Sequence, residues 1–293
     1  MAFSLPSFAK INWRLRVLAR REDGFHELCT LFQTVSLHDT LQFDESDRLA
    51  LTCDDPRVAT DSSNLIMRAA SLLEKASSRR NGAAIHLEKR IPFPGGLGGG
   101  SSNAAVALIG LARLWKLEDV DLESLAVELG SDVPFFLHGG TAVGAGRGEI
   151  IVSMGDVNEP NLLIVSPDVS VSTAEVFGSL GAPTLTKSAS DNNLTVCRKD
   201  AEAFDPRHSE PENDLEPSVF ARHPEIERVK RTLLELEAVK AVMSGSGASV
   251  FGIFDKQETR QAAIEALANE RSWRKFAVST VSRSEYRDML GIA

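Results

Sequence analysis

The apolar positions of the first fifty residues follow a strand pattern. Residues 8–19 are rich in β-forming side chains and partly alternate between apolar and polar, the period of a strand with one buried face. Arg20, Arg21, Glu22, Asp23 and Gly24 interrupt the run, and Asp-Gly is a hairpin signal. A second strand is predicted from about His26 to Leu37, with short strands near 40–45 and 48–53, so the chain opens as a β-meander. The period then changes. Ser62, Ser63 and Asn64 precede Leu65, Ile66, Ala69, Ala70, Leu72 and Leu73, a capping sequence followed by helical spacing. A strand over 83–91 leads into a run of glycines. The segment after it, 101–115, carries Ala105, Leu108, Ile109, Ala112 and Trp115 on one helical face. Another amphipathic helix is predicted over 121–130, and glycines at 139, 140, 144, 146 and 148 punctuate short strands.

The second half reads differently. Asn161–Val165 is strand-like, and Ser172-Thr173-Ala174-Glu175 is a capping box that opens a short helix. Residues 183–212 are polar and aperiodic, which predicts an irregular excursion. An amphipathic helix over Pro224–Leu236 and a strand over Ala238–Met243 follow. Then come a Ser-Gly-Ser-Gly turn at 244–247, a strand over 249–254, a helix over 256–270 and a strand near 275–281. No internal repeat or heptad run stands out.

The bulk numbers narrow the class. A length of 293 residues suits one large or two ordinary domains. With 43% hydrophobic and 25% charged residues the composition is that of a globular protein. No apolar run approaches the length that spans a bilayer, and residues 1–10 have neither a signal nor a transit pattern. A cytoplasmic protein with no membrane partner is expected. Cys29, Cys53 and Cys197 are far apart and show no metal spacing, so three reduced thiols are expected. A net charge of −9 opposes general nucleic-acid binding but leaves room for an anionic small molecule at a few local cations. Oligomeric state is not legible.

The chemistry concentrates in residues 92–105. Five glycines fall within positions 95–100, followed by Ser101 and Ser102 and then the apolar periodic run. Glycine lets the backbone reach positive φ and come close to a ligand. Ser101 or Ser102 is suited to cap the helix that follows. A loop of inward-pointing amides that ends in a helix N-terminus suits phosphate. No Gly-Lys-Ser or Gly-Lys-Thr follows, and the dinucleotide glycine spacing is missing, so neither common phosphate motif applies. Other residues stay ambiguous on their own. Lys10 reads as a solvated lysine, Phe25 and Phe177 as core, His26 as a strand histidine, and Asn64 and Leu65 as cap and core. Asp132 stands alone in apolar company before Pro134, as a helix cap would. Arg147 reads equally as a loop arginine and as a phosphate contact.

Gly95-Gly96 and Gly98-Gly99-Gly100-Ser101-Ser102-Asn103-Ala104-Ala105 resemble the phosphate motif of the GHMP kinases, the family of galactokinase, homoserine kinase and mevalonate kinase. Ala9-Lys10-Ile11-Asn12 near the start and Ser244–Ser249 near the end resemble the family's other two motifs, in the same order. Asp23-Gly24-Phe25-His26 and Gly130–Pro134 extend the likeness to the members that act on a cytidine diphosphate-linked methylerythritol, with Phe25 where those have tyrosine. The resemblance leaves out residues 183–212.

It implies an α/β (α+β) two-domain GHMP kinase fold. An N-terminal domain over 1–157 would carry the Gly-rich loop, and a ferredoxin-like α+β domain over 158–293 would close the cleft. It implies an enzyme that transfers the γ-phosphoryl group of ATP to the 2-hydroxyl of the cytidyl substrate, on the non-mevalonate route to isoprenoid precursors. Pro94, Gly95, Gly96, Leu97, Gly98, Gly99, Gly100, Ser101, Ser102, Asn103, Asn64, Leu65, Ser244 and Gly245 are then the ATP candidates. Lys10 and Asp132 would be catalytic, Asp132 as the base and Lys10 to offset negative charge. Asn12, Phe25, His26 and Phe177 would bind the substrate, the two rings on either face of cytosine and His26 at its edge. Mg2+ is expected, with no ligand assigned. The alternatives are another GHMP small-molecule kinase, of homoserine or mevalonate type, and a non-catalytic nucleotide-binding protein of the same fold.

Overall fold

The computed structural model describes residues 2–77, 81–181 and 187–292. Two long antiparallel strands, β1 (Phe3–Arg20) and β2 (His26–Asp44), open it. The turn between them closes through the bond from Arg21 N–H to Phe25 O, with Gly24 at φ 84°. The residues expected as a separate strand near 40–45 are the end of β2; a register shift beside Phe8 and Ala9 lets one strand continue. The chain continues through β3 (Leu49–Cys53), α1 (Leu65–Ser77), β4 (Ala83–Glu88), α2 (Gly99–Leu114), α3 (Leu122–Leu129) and α4 (Phe135–His138). The hairpin β5 (Thr141–Gly146) and β6 (Ile150–Ser153) follows. Along one edge β2 pairs first with β5, over Leu28–Gln33, and then with β4, over Thr40–Asp44.

Helix α2 is buried almost all round, not on one face, from Ser102 to Ala112. The sheet lies on one side of it, and α1 and α3 cover the others. Its small residues allow this closeness, and Gly110 lies directly over the ring of Phe43.

The second half holds β7 (Leu162–Pro167), α5 (Thr173–Gly178), α6 (Lys187–Glu202), β8 (Glu212–Asn213), α7 (Glu216–Arg222) and α8 (Pro224–Glu235). It ends with β9 (Lys240–Met243), β10 (Val250–Ile253), α9 (Gln257–Ala266), β11 (Trp273–Val278) and α10 (Arg283–Leu290). Strands β11-β7-β10-β9 form an antiparallel sheet in that order, which is the ferredoxin-like arrangement. All six residues of β7 are buried because both its faces are covered. Leu163 and Val165 meet α8, while Leu162 and Ile164 meet Ile11 and Trp13 of β1.

Three further expectations need correction. Residues 187–202, expected to be irregular, form α6; over 195–202 most of its polar side chains are exposed, and residues 183–186 lie outside the described residues. α6 packs across β2 and β5 and brings Cys197 to Cys29. Those two are joined by a disulfide with Cα atoms 5.8 Å apart, and only Cys53 is a free thiol among the described residues. A separation of 168 residues leaves no spacing signal for such a pair. Finally, α2 begins at Gly99 with Gly98 as its cap, so neither Ser101 nor Ser102 caps it. Helix α10 was not among the expected elements, although Ser282 and Glu285 have capping-box spacing; it returns to the first core through Tyr286 and Leu290.

A Cβ at position 110 would lie 2.4 Å from Cζ of Phe43, in a core with no room to yield. Alanine favours a helix over glycine by about 1 kcal/mol, whereas overpacking costs about 1–3 kcal/mol or more. Gly110→Ala is therefore expected to destabilise the chain, read as a lower urea midpoint with an unchanged slope.

Candidate active site

The Gly-rich loop is pinned from several sides. Lys10 N–H donates to Leu97 O at 2.9 Å, and Ser249 N–H to Gly95 O at 3.2 Å. Gly96 O accepts from Lys10 Nζ at 3.0 Å and from Ser244 Oγ at 3.0 Å. Gly96 and Gly98 both have φ 70°. A Cβ at Gly96 would lie 2.1 Å from Ser244 O, and one at Gly98 would lie 2.8 Å from Cζ of Phe136, so only glycine fits either place. The loop delivers the N-terminus of the 16-residue α2 into a cleft of about 830 Å³. The first amides of a helix have no partner within it, and that end carries partial positive charge. The site suits a phosphate chain.

Beside the loop stands an ion pair. Lys10 Nζ lies 3.5 Å from Asp132 Oδ2, with Lys10 buried and Asp132 about one-third exposed to the cleft. Burial pushes the Lys10 ammonium below its ordinary pKa, and Asp132 pulls it back. Lys10 Nζ also donates to Asn12 Oδ1 at 2.7 Å; Asn12 Nδ2 donates to Thr30 Oγ1 at 2.7 Å, which donates to Arg14 O. This chain of bonds fixes the ammonium without using Asp132's second oxygen. Asp132 sits in the tight turn from α3 to α4, closed by Val133 N–H to Gly130 O. Pro134, not Asp132, caps α4.

The other end of the cleft is aromatic. Phe25 is 54% exposed on the β1–β2 turn, with the Arg147 guanidinium 5.0 Å from its ring centre. Phe177 of α5 stands 5.4 Å from the ring of His26. Burial first, and then Arg20, hold the His26 imidazole below its ordinary pKa. Its buried Nε2 has no hydrogen-bond partner among the described residues.

Most of the residues picked out by the sequence meet here. Lys10, Asn12, Phe25, His26, Leu65, Pro94 through Ser101, Asp132, Phe177 and Gly245 all line the cleft. Four others do not. Asn64 caps α1 through Ile66 N–H and donates to Ala59 O. Ser102 and Asn103 are buried behind the loop, where Ser7 Oγ lies 2.8 Å from Ser102 Oγ and donates to Asn103 Oδ1 at 2.6 Å. Ser244 is buried and braces Gly96. Thr30, Asn213 and Thr173 were missed. Asn213 Nδ2 donates to Met243 O and Gly245 O and holds the Ser-Gly turn. Thr173 and Ser246 join their hydroxyls at 2.7 Å, from α5 to that turn. A lone Thr or Asn in a strand gives no sequence signal for such a role. Among the described residues, no group of three His, Cys, Asp or Glu side chains is placed to hold a metal.

Comparison with known proteins agrees with this geometry. The model of the GHMP kinases N terminal domain matches residues 64–140, and that of the GHMP kinases C terminal matches 196–271. A 4-diphosphocytidyl-2-C-methyl-D-erythritol kinase of Solibacter usitatus is 39% identical over 289 residues, 97% of this chain and 90% of that protein. One of Chlorobium limicola is 39% identical over 270 residues, 91% of this chain and 93% of that protein. A crystal structure of 4-(cytidine 5'-diphospho)-2C-methyl-D-erythritol kinase matches with a TM-score of 0.76 and 35% identity, over 95% of this chain and 99% of the other. Homoserine kinase from Cytophaga hutchinsonii shares the fold, with a TM-score of 0.68 at 21% identity over 96% of this chain and 95% of its own. With a two-sheet fold of this order and a glycine loop bonded to Lys10, which pairs with Asp132, the chain belongs to the GHMP kinase family, among its 4-diphosphocytidyl-2-C-methyl-D-erythritol kinases.

Proposed function

We propose that the chain transfers the γ-phosphoryl group of ATP to the 2-hydroxyl of 4-diphosphocytidyl-2-C-methyl-D-erythritol, a step of non-mevalonate isoprenoid precursor synthesis. One observation carries the reading: the Lys10–Asp132 pair, at 3.5 Å, stands in a single cleft between a phosphate loop and an aromatic end. The amides at the start of α2 hold the triphosphate. Phe25 and Phe177 take the two faces of cytosine, and the unpartnered Nε2 of His26 reads its edge. Those contacts bring the 2-hydroxyl to Asp132, which accepts its proton as the oxygen attacks the γ-phosphorus and the bond to the β-phosphate oxygen breaks. Such transition states are loose, so positioning and charge stabilisation do most of the work. Lys10, fixed by Asn12 and Gly96, offsets the developing negative charge.

Magnesium fits as an ion carried by the nucleotide. It is held largely by phosphate oxygens and keeps several waters, and Ser101 at the cleft wall is the residue that would hold it, since Ser102 is buried against Ser7. When bound it would neutralise charge on the transferring phosphate. The reading also takes the chain as two domains with a boundary near 157, between the end of β6 at Ser153 and the start of β7 at Leu162. A cytoplasmic placement goes with it. No helix among the described residues is long and apolar enough to cross a membrane.

ATP consumption measured in parallel with the cytidyl substrate, homoserine and mevalonate tests the assignment; turnover with only the cytidyl compound is expected. Asp132→Asn should lower kcat by about 10²–10⁴-fold, the usual worth of a general base, with nucleotide affinity kept. A kcat within a few-fold of the parent would remove Asp132 as the base. Phe25→Ala and Phe177→Ala should each raise KM for the cytidyl substrate by roughly 10–100-fold, since stacking on a base is worth about 1–3 kcal/mol. Unchanged cytidyl KM together with weakened ATP binding would reverse the two ends of the cleft. Because His26 protonates below its ordinary value of about 6.5, cytidyl KM should stay flat down to that pH and rise only beneath it. A KM that fell on acidification instead would show that the neutral imidazole is not what binds.

A further inference from the structure

Residues 89–91 connect β4 to the Gly-rich loop and lie beyond the last ladder residue, Glu88. Backbone groups buried there need partners, and side chains supply them. Lys89 N–H donates to Asp54 Oδ1 at 2.8 Å. Arg90 N–H and Ile91 N–H both donate to Asp39 Oδ1, each at 2.7 Å. Asp39 Oδ2 accepts from Lys89 Nζ at 2.7 Å, and that ammonium also donates to Ile91 O at 2.6 Å. Asp39 is fully buried and Lys89 nearly so. Behind them α2 begins: a Cβ at Gly99 would lie 3.0 Å from Cγ2 of Ile91 and 3.3 Å from Lys89 Nζ. The held segment and the helix start are in contact.

Asp39 has a neighbour with a matching task. Its cross-strand partner in β1 is Ser7, and such partners point to the same face. Ser7 is also fully buried, and its hydroxyl holds Asn103 just past the first turn of α2. One residue grips the chain as it enters the loop, and the other grips it as it leaves. A buried ion pair is a weak stabiliser in its own right, so the consequence of this one is geometric.

We infer that Asp39 and Ser7 are a pair of positioning residues for the nucleotide, which clamp the two ends of loop 92–101 so that the amides opening α2 face the triphosphate before it arrives. The inference rests on the kinase reading above. Neither residue lines the cleft, so both act through the loop. The pair has no contact with the aromatic end, so its effect is confined to one ligand.

Calorimetric titration of Asp39→Asn and Ser7→Ala with ADP and, separately, with the cytidyl substrate tests this. Asp39→Asn keeps the shape and removes the charge, and should weaken ADP by roughly tenfold; Ser7→Ala removes one hydrogen bond and should weaken it by about threefold. Cytidyl affinity should stay within about twofold in both. If both ligands weaken together, or if folded variants bind ADP as the parent does, the inference is overturned. Should Asp39→Asn fail to fold, Ser7→Ala decides alone by the same measure. A parent chain that binds no ADP would overturn the kinase reading and this inference together, whereas normal parent binding with unaffected variants overturns only this one.

Discussion

Two backbones meet where no side chain fits. Gly96 of the first half lies against the carbonyl of Ser244 in the second, 2.1 Å from where a Cβ would stand. This contact sets the geometry of the site. It puts Ser244 Oγ and Lys10 Nζ on one carbonyl oxygen, which fixes the lysine, and it puts Gly245 at the edge of the cleft. The turn bearing Ser244 is itself held by Asn213, next to the strand pair that β8 makes with β1. The phosphate loop therefore takes its shape from residues more than a hundred positions away, and the two halves could not separate without undoing it.

The cleft also reverses the charge of the molecule. The chain carries −9 overall, yet the charged groups lining the cleft are Lys10, Arg20 and Arg147 against Asp132 alone. The two anionic ligands proposed above would be drawn towards a local positive region by a protein that otherwise repels them, an arrangement that favours encounter at the cleft over encounter elsewhere.

Features with a local cause were legible in the sequence. The β1–β2 hairpin, the Asn64 cap of α1, the Ser172 capping box and the succession of elements after Pro224 all follow from period and turn chemistry, whereas the ferredoxin-like strand order came from the resemblance. What failed depended on distant partners. Cys197 gives no hint of Cys29, and α6 is too polar to show an apolar stripe. Ser102 reads as a cap until Ser7 is seen behind it, and Gly98 caps instead because it alone can take a left-handed conformation there. Lys10, Thr30, Asp39 and Asn213 are buried polar residues within strands, and along a strand a buried polar residue looks the same as one facing water. For the cleft itself, motif resemblance supplied what periodicity could not: that Lys10 points inward, where it pairs with Asp132.

Helix α10 has a consequence for how the molecule is made. Its Tyr286 is fully buried, donates to Phe136 O at 2.6 Å and lies over Gly139, while Leu290 completes the same core. The first half of the chain thus takes one of its walls from the last ten residues. Domains usually fold in order as they leave the ribosome. The core of the first half cannot be completed until Leu290 has left the ribosome, by when everything between the two contacts has emerged as well.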